Sequence, residues 1–136
     1  MSFKFEQLEV WQLSLDYSDL IYDLAEKLPD SERFNLKSQI IRAVTSISLN
    51  IAEGSTGQSD PEQSRFLGMA IRSLIETVAC QRIITRRKYA NDKDFMEQLD
   101  LKAQELAKRL HTFRRSLAKS NKSVGEEQAP YDTDEI

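Results

Sequence analysis

The chain is poor in the residues that punctuate, staple or cross a fold. Four glycines and three prolines in 136 residues supply too few turn signals for an all-β protein. A single cysteine, Cys80, excludes an internal disulfide and reads as a protein of a reducing compartment. The one histidine, His111, has no Cys or His partner at metal spacing. The residue three before it is Lys108, so the Glu-x-x-His signature of bundle di-iron sites is missing. His111 therefore reads as a lone surface histidine, and no metal or other cofactor is expected. Nowhere do 18 apolar residues run together, so no segment is expected to span a membrane. The opening MSFKFEQLEV lacks the apolar stretch of a secretory signal, and the expected location is cytoplasmic. Gly54-Ser55-Thr56-Gly57 is followed by no Gly-Lys-Ser/Thr and preceded by no strand, which sets aside a phosphate-binding loop.

What is present is helical periodicity. Hydrophobic residues make up 40% and charged residues 30%, a balance that suits short helices with charged outer faces around one core. The first helix is predicted from about Gln7 to Leu28. Its stripe is Leu13, Tyr17, Leu20, Leu24 and Leu28 at steps of three and four, widened by Trp11, Leu15 and Ile21. Pro29 stops it, because the residue before a proline resists the α region. Asp30 or Ser31 is expected to cap a second helix from about Glu32 to Glu53, with the stripe Ile40, Val44, Ile47 and Ile51. Gly54 is expected to end that helix as a residue free to turn left-handed. Ser59-Asp60-Pro61-Glu62 then gives a strong start signal for a third helix, about Pro61 to Lys88. Its apolar residues (Phe66, Leu67, Ala70, Ile71, Leu74, Ile75, Val78, Ile83) cover more than one face. Such a helix is either the most buried of the set or packs on another subunit, with Cys80 read as a small core residue. Asn91 is expected to cap a fourth helix, about Asp92 to Lys119. There Met96, Leu99, Ala103, Leu106, Leu110, Phe113 and Leu117 form an unbroken heptad seam. Short connections between such helices predict an all-α fold, an antiparallel up-down four-helix bundle over residues 1–119. Residues 120–136 are polar, acidic and aperiodic and are expected to be a disordered tail.

Two patterns bear on function. Charge is unevenly spread: residues 1–80 carry 7 Lys/Arg against 12 Asp/Glu, residues 81–119 carry 11 against 5, and residues 120–136 carry 1 against 5. The basic block is an electrostatic footprint for an anionic polymer. Its candidate phosphate contacts are Arg82, Arg86, Arg87, Lys88, Lys108, Arg109, Arg114 and Arg115, a salt-dependent and sequence-independent mode of binding RNA or DNA. Part of the block also follows from the preference for cations near a helix C-terminus, and for a monomer a solvated charged face is the slightly favoured reading, the polyanion reading gaining if the chain forms a ring. The second pattern is a polar stripe on helix two, Gln39, Arg42, Ser46, Asn50 and Glu53, with Arg72 and Glu76 on helix three able to face it. An exposed face, a half-buried network fixing register or an interface, and a ligand site are the three readings; the network is favoured. An enzyme would need Glu53 or Glu76 perturbed in a pocket along that stripe, and it ranks last behind a nucleic-acid binder and a protein-interaction scaffold.

The run Phe5-Glu6-Gln7-Leu8-Glu9-Val10-Trp11-Gln12, the turn Leu28-Pro29-Asp30-Ser31-Glu32-Arg33-Phe34, the residues Leu36, Ser38-Gln39-Ile40 and Arg42-Ala43, and above all Ser46-Ile47-Ser48-Leu49-Asn50-Ile51-Ala52-Glu53-Gly54 followed by Ser59 and Arg65-Phe66-Leu67 resemble the 23S rRNA-intervening-sequence proteins, also called S23 proteins. The resemblance covers about residues 3–117. On helix three this chain has Arg72-Ser73 where members often have Gly-Ser. The resemblance implies an antiparallel four-helix bundle that assembles into a homo-oligomer, a ring of five. It also implies association with nucleic acid, or service as an accessory subunit to a protein partner. It supplies no catalytic residue, and the chain is expected not to be an enzyme.

Overall fold

The computed structural model describes residues 2–57 and 59–120. Four helices make up the fold: α1 (Glu9–Glu26), α2 (Leu36–Gly54), α3 (Asp60–Arg86) and α4 (Lys93–Ser120), with 3-10 turns at Lys4–Gln7 and Asp30–Glu32. There is no strand among the described residues. The tail expected from residue 120 onward lies outside the described residues, apart from Ser120 itself, the last described residue of α4.

Each helix packs along its neighbours, and where two contacts join a pair, between α1 and α2 and between α3 and α4, the paired residues fall in opposite order. Ser14 meets Ser48 and Glu26 meets Lys37 between α1 and α2. Ser46 meets Ser73 between α2 and α3. Ser64 meets Arg114 and Arg82 meets Asp100 between α3 and α4. Glu9 meets Arg109 where α4 returns to α1. A four-helix bundle results, with one core.

The core follows the periodicity, with a rotation in α1. Tyr17, Ile21, Leu24 and Leu28 are buried, while Leu13, Leu20 and Trp11 are only partly so. The centre of the stripe includes Ser14, whose hydroxyl donates to the Trp11 carbonyl at 2.7 Å and bonds the Ser48 hydroxyl at 2.9 Å. A small side chain with an internal hydrogen bond lets α1 and α2 approach closely at no unsatisfied polar cost. On α2, Ile40, Val44, Ile47 and Ile51 are all fully buried, as expected. On α4, Leu99, Ala103, Leu106, Leu110 and Leu117 are buried, and the buried arc widens through Ala107 to His111. The surface position expected for His111 is therefore corrected. It stands one turn beyond Ala107 and beside Leu110, and only 7% of it is exposed.

The helix ends depart from expectation at three caps. The second helix begins four residues late, at Leu36, and neither Asp30 nor Ser31 caps it. The Glu32 carboxylate takes that role, accepting from the Asn35 amide at 2.9 Å, the Leu36 N–H at 3.4 Å and the Tyr89 hydroxyl at 2.9 Å. At α4 the cap is Asp92 rather than Asn91, with its side chain accepting from the Phe95 N–H at 3.1 Å. Ser59 caps α3 as expected, accepting from the Glu62 N–H at 3.3 Å. Gly54 ends α2 as expected but does not turn left-handed; the left-handed glycine is Gly57, at φ 92°. Gly54 is required by proximity instead. A Cβ there would sit 2.8 Å from the Phe66 Cβ.

Candidate functional site

The basic block resolves into two surfaces. α3 and α4 enclose an open groove of about 1010 Å³. Ile75, Val78 and Arg82 reach it from α3 because steps of three, four and seven return to the same helix face. From α4, Lys108, His111 and Arg115 line it for the same reason, with Arg109 at its edge. Two carboxylates, Asp100 and Glu105, and the amide of Gln104 complete the polar rim.

Not every cation in the groove is equally available. The Arg82 guanidinium donates to Asp100 at 2.8 Å, and Arg109 pairs with Glu9 of α1 at 2.5 Å. Both pairs are solvent-exposed, so each contributes on the order of 0.2–1 kcal/mol and yields readily to a competing anion. Lys108 makes no ion pair among the described residues. The groove floor is apolar, formed by Leu74, Val78, Ala79 and Ala103.

The other four predicted cations lie elsewhere. Arg86 and Arg87 flank a smaller cleft of about 360 Å³ at the end of α3 with Ile83 and Tyr89. There the Arg87 guanidinium lies 5.9 Å from the Tyr89 ring centroid, and contact with Tyr89 raises its pKa further. Lys88 is the left-handed residue of the α3 terminus, at φ 62°. The Lys88 N–H donates to Thr85 and the Tyr89 N–H to Ile84, the paired bonds of a Schellman ending. Arg114 is half-buried between α3 and α4. Its Nε donates to Ser64 at 3.3 Å, and its guanidinium lies over Gly68, where a Cβ would meet it at 3.0 Å.

The polar stripe divides as well. Ser46 and Asn50 are half-buried. The Asn50 amide donates to the Ser46 carbonyl at 2.9 Å and to the Ser46 hydroxyl at 3.0 Å, and that hydroxyl bonds Ser73 of α3 at 2.9 Å. The Ser46–Ser73 bond joins α2 to α3, and the Asn50 bonds stay within α2. Gln39, Arg42 and Glu53 are exposed, as are Arg72 and Glu76 on α3. Neither Glu53 nor Glu76 is enclosed against a partner that would tune it as an acid or base. Glu53 borders a second cleft, about 620 Å³, lined by Phe3, Phe5 and Leu49.

One polar group was not anticipated. The Tyr17 hydroxyl, fully buried, bonds Thr77 at 2.8 Å and accepts from the Gln81 amide at 2.6 Å; Thr77 in turn donates to the Leu74 carbonyl. Burial pushes the Tyr17 phenol up to about 12. The signal was present in the spacing: Leu67, Ala70, Leu74, Thr77, Gln81 and Ile84 form a three-four repeat whose polar members occupy core positions. Cys80 is buried as expected, and that burial raises its thiol, with Glu76 adding to the effect. No group of three or more His, Cys, Asp or Glu is arranged to hold a metal among the described residues. No described helix is long and apolar enough to cross a membrane.

The sequence matches the 23S rRNA-intervening sequence protein family over residues 6–112. A comparison with curated proteins gives no match. Among solved structures, the fold is similar to the crystal structure of a protein with unknown function from the S23 ribosomal protein family of Bacteroides thetaiotaomicron. The TM-score is 0.70 at 26% identity, over 77% of this chain and 97% of that one. The match runs from the 3-10 turn before α1 into α4 as far as residue 112, most of the chain, so the chain belongs to the 23S rRNA-intervening sequence protein family.

Proposed function

We propose that the chain is a non-enzymatic, oligomeric protein of the cytoplasm that associates with structured RNA or DNA through the α3–α4 groove. The observation that carries this reading is the convergence of Arg82, Lys108, Arg109 and Arg115 from two helices on one groove. Forked guanidiniums and a mobile ammonium suit the phosphates of a nucleic-acid backbone. Four phosphate contacts give a log–log salt slope of roughly −3.6, or about a hundredfold loss of affinity between about 50 and 200 mM salt. Fluorescence anisotropy with an RNA hairpin and a DNA duplex tests it. The full chain is expected to show that slope, and Lys108→Glu with Arg115→Glu to abolish binding. No binding by the full chain at low salt, even with its acidic tail removed, would sink the proposal.

A second observation favours self-association. Ile75 and Ile83 on α3 are 41% and 47% exposed, and Leu101 on α4 is 59% exposed. Arg72, Glu76 and Ile83 share one outward strip of α3 by their spacing, beside the α3–α4 groove. We read this strip as a contact between copies in a closed ring, five by the resemblance. Burying the Ile83 side chain contributes about 25 cal/mol per Å² removed from water. Sedimentation of the wild type and of Ile83→Asp tests it, with an oligomer expected for the first and a smaller species for the second. A wild-type chain that stays monomeric at all concentrations leaves the strip to a different protein partner.

A further inference from the structure

We infer that the acidic segment 121–136 occupies the α3–α4 groove of its own chain and competes there with nucleic acid. The regulatory half of this statement rests on the proposed function; the docking itself does not. Charge, reach and composition support it.

The groove carries four cations, Arg82, Lys108, Arg109 and Arg115, against two carboxylates, Asp100 and Glu105. Residues 121–136 carry Lys122 against Glu126, Glu127, Asp132, Asp134 and Glu135. Opposite excess charges thus sit on one chain, joined by the end of α4. Because both partners are tethered, the effective concentration of the segment is in the millimolar range, so weak individual contacts suffice.

The geometry allows it. α4 is described to Ser120, and Lys108 lies about 18 Å back along the helix at 1.5 Å per residue. Glu126 and Glu127 follow Ser120 by six and seven residues, about 20–25 Å of extended chain. They therefore reach Arg115 and Lys108. Asp132 to Glu135 lie about 40–50 Å of chain from Ser120. They reach the far end, where Arg82 is held by Asp100 at 2.8 Å. Between the two acidic clusters stand Ala129, Pro130 and Tyr131. They would cross the apolar floor of Val78, Ala79 and Ala103, where a tyrosine buries its ring and keeps its hydroxyl wet.

The test compares two full-length chains without nucleic acid: the wild type, and a variant with Glu126→Gln, Glu127→Gln, Asp132→Asn, Asp134→Asn and Glu135→Gln. Amide NMR at about 50 mM salt is expected to show differences at Ala79, Lys108 and Arg115, vanishing at about 500 mM salt as screening shortens. Lys108→Glu with Arg115→Glu in the wild-type tail is expected to remove them as well. Differences confined to residues 116–136 overturn the inference, and differences that grow with protein concentration overturn it by placing the segment on another copy. In a separate arm, the neutralised variant is expected to bind an RNA hairpin about threefold to tenfold more tightly at low salt. Equal affinity overturns the competition. A hairpin that binds neither chain sinks the proposed function alone, since the NMR comparison decides the docking without it.

Discussion

Gly54 and Phe66 face one another across the α2–α3 contact so closely that a Cβ on the glycine would lie 2.8 Å from the Phe66 Cβ. The Gln63 carbonyl, 3.4 Å from the same point, closes the other side. Gly54→Ala gains up to about 1 kcal/mol of helix propensity but must part the two helices where both are anchored. Overpacking of this kind costs about 1–3 kcal/mol. The variant is expected to lose a net of roughly 1–2 kcal/mol in urea denaturation. A variant more stable than wild type would show that Phe66 yields freely and that the close approach is incidental.

Tyr17 gives the bundle a pH dependence at the alkaline end. Its phenol titrates near 12 in the fold and near 10 in the unfolded chain. Below pH 10 both states hold the proton and the stabilisation is complete. Between about 10 and 12 only the unfolded state ionises, so stability falls as pH rises, by about 2–3 kcal/mol in total. Tyr17→Phe is expected to remove this component of the alkaline loss. It is also expected to lower stability by about 1–3 kcal/mol at pH 7, because Thr77 and Gln81 lose their partner. Denaturation midpoints of both chains from pH 8 to 12 check the sign.

Glu32 works at the acid end. Its carboxylate is held below the usual glutamate range, first by the Asn35 amide and then by the Tyr89 hydroxyl. A depressed carboxylate stabilises the fold above its unfolded pKa, and that contribution fades as pH falls through the folded value. Glu32→Gln is expected to be less stable than wild type at pH 7, with the gap closing as pH falls from about 4.5. A gap that stays constant to pH 3 would place the role of Glu32 in shape rather than charge.

Lys88 stands in a left-handed conformation at φ 62°, in a position that glycine takes at little cost. Lys88→Gly is expected to stabilise the fold by about 0.5–1 kcal/mol, a rise of roughly 2–5 °C in Tm for a chain of this size. A fall in Tm would mean that the lysine side chain contributes more than its backbone costs.

The fold was legible where burial and periodicity coincide. Ile40, Val44, Ile47 and Ile51 repeat at helix spacing, and all four are fully buried. Legibility failed where a polar residue occupies a core position. Thr77, Gln81 and Ser14 are all fully buried, and each has a hydrogen-bond partner on another helix that its own sequence neighbourhood does not reveal. The caps failed for a related reason. Asp30, Ser31 and Glu32 all have capping chemistry, and the choice fell to Glu32, whose second oxygen is held by Tyr89 from a distant turn. For the candidate site, the sequence located the basic block but not its division. Which cations share the groove depends on helix facing, and Arg114 and Arg115, adjacent in sequence, point to different surroundings.

That division makes Arg114 the discriminating residue. Charge alone places it with Arg115, yet it donates to Ser64 and lies over Gly68 inside the α3–α4 contact. Removing it strips a packed aliphatic stem and a hydrogen bond from the helix pair, and a cost of about 1–2 kcal/mol follows. Arg115→Ala removes a groove cation and is expected to leave stability within about 0.5 kcal/mol. Nucleic-acid titrations should invert the order. Losing one phosphate contact lowers the salt slope by about 1, so Arg115→Ala is expected to flatten it and Arg114→Ala to leave it unchanged. Denaturation and salt-dependent anisotropy on the same two proteins give both readouts. If Arg114→Ala flattens the slope while keeping full stability, the guanidinium over Gly68 is a phosphate contact and the groove extends across the helix pair to its other face.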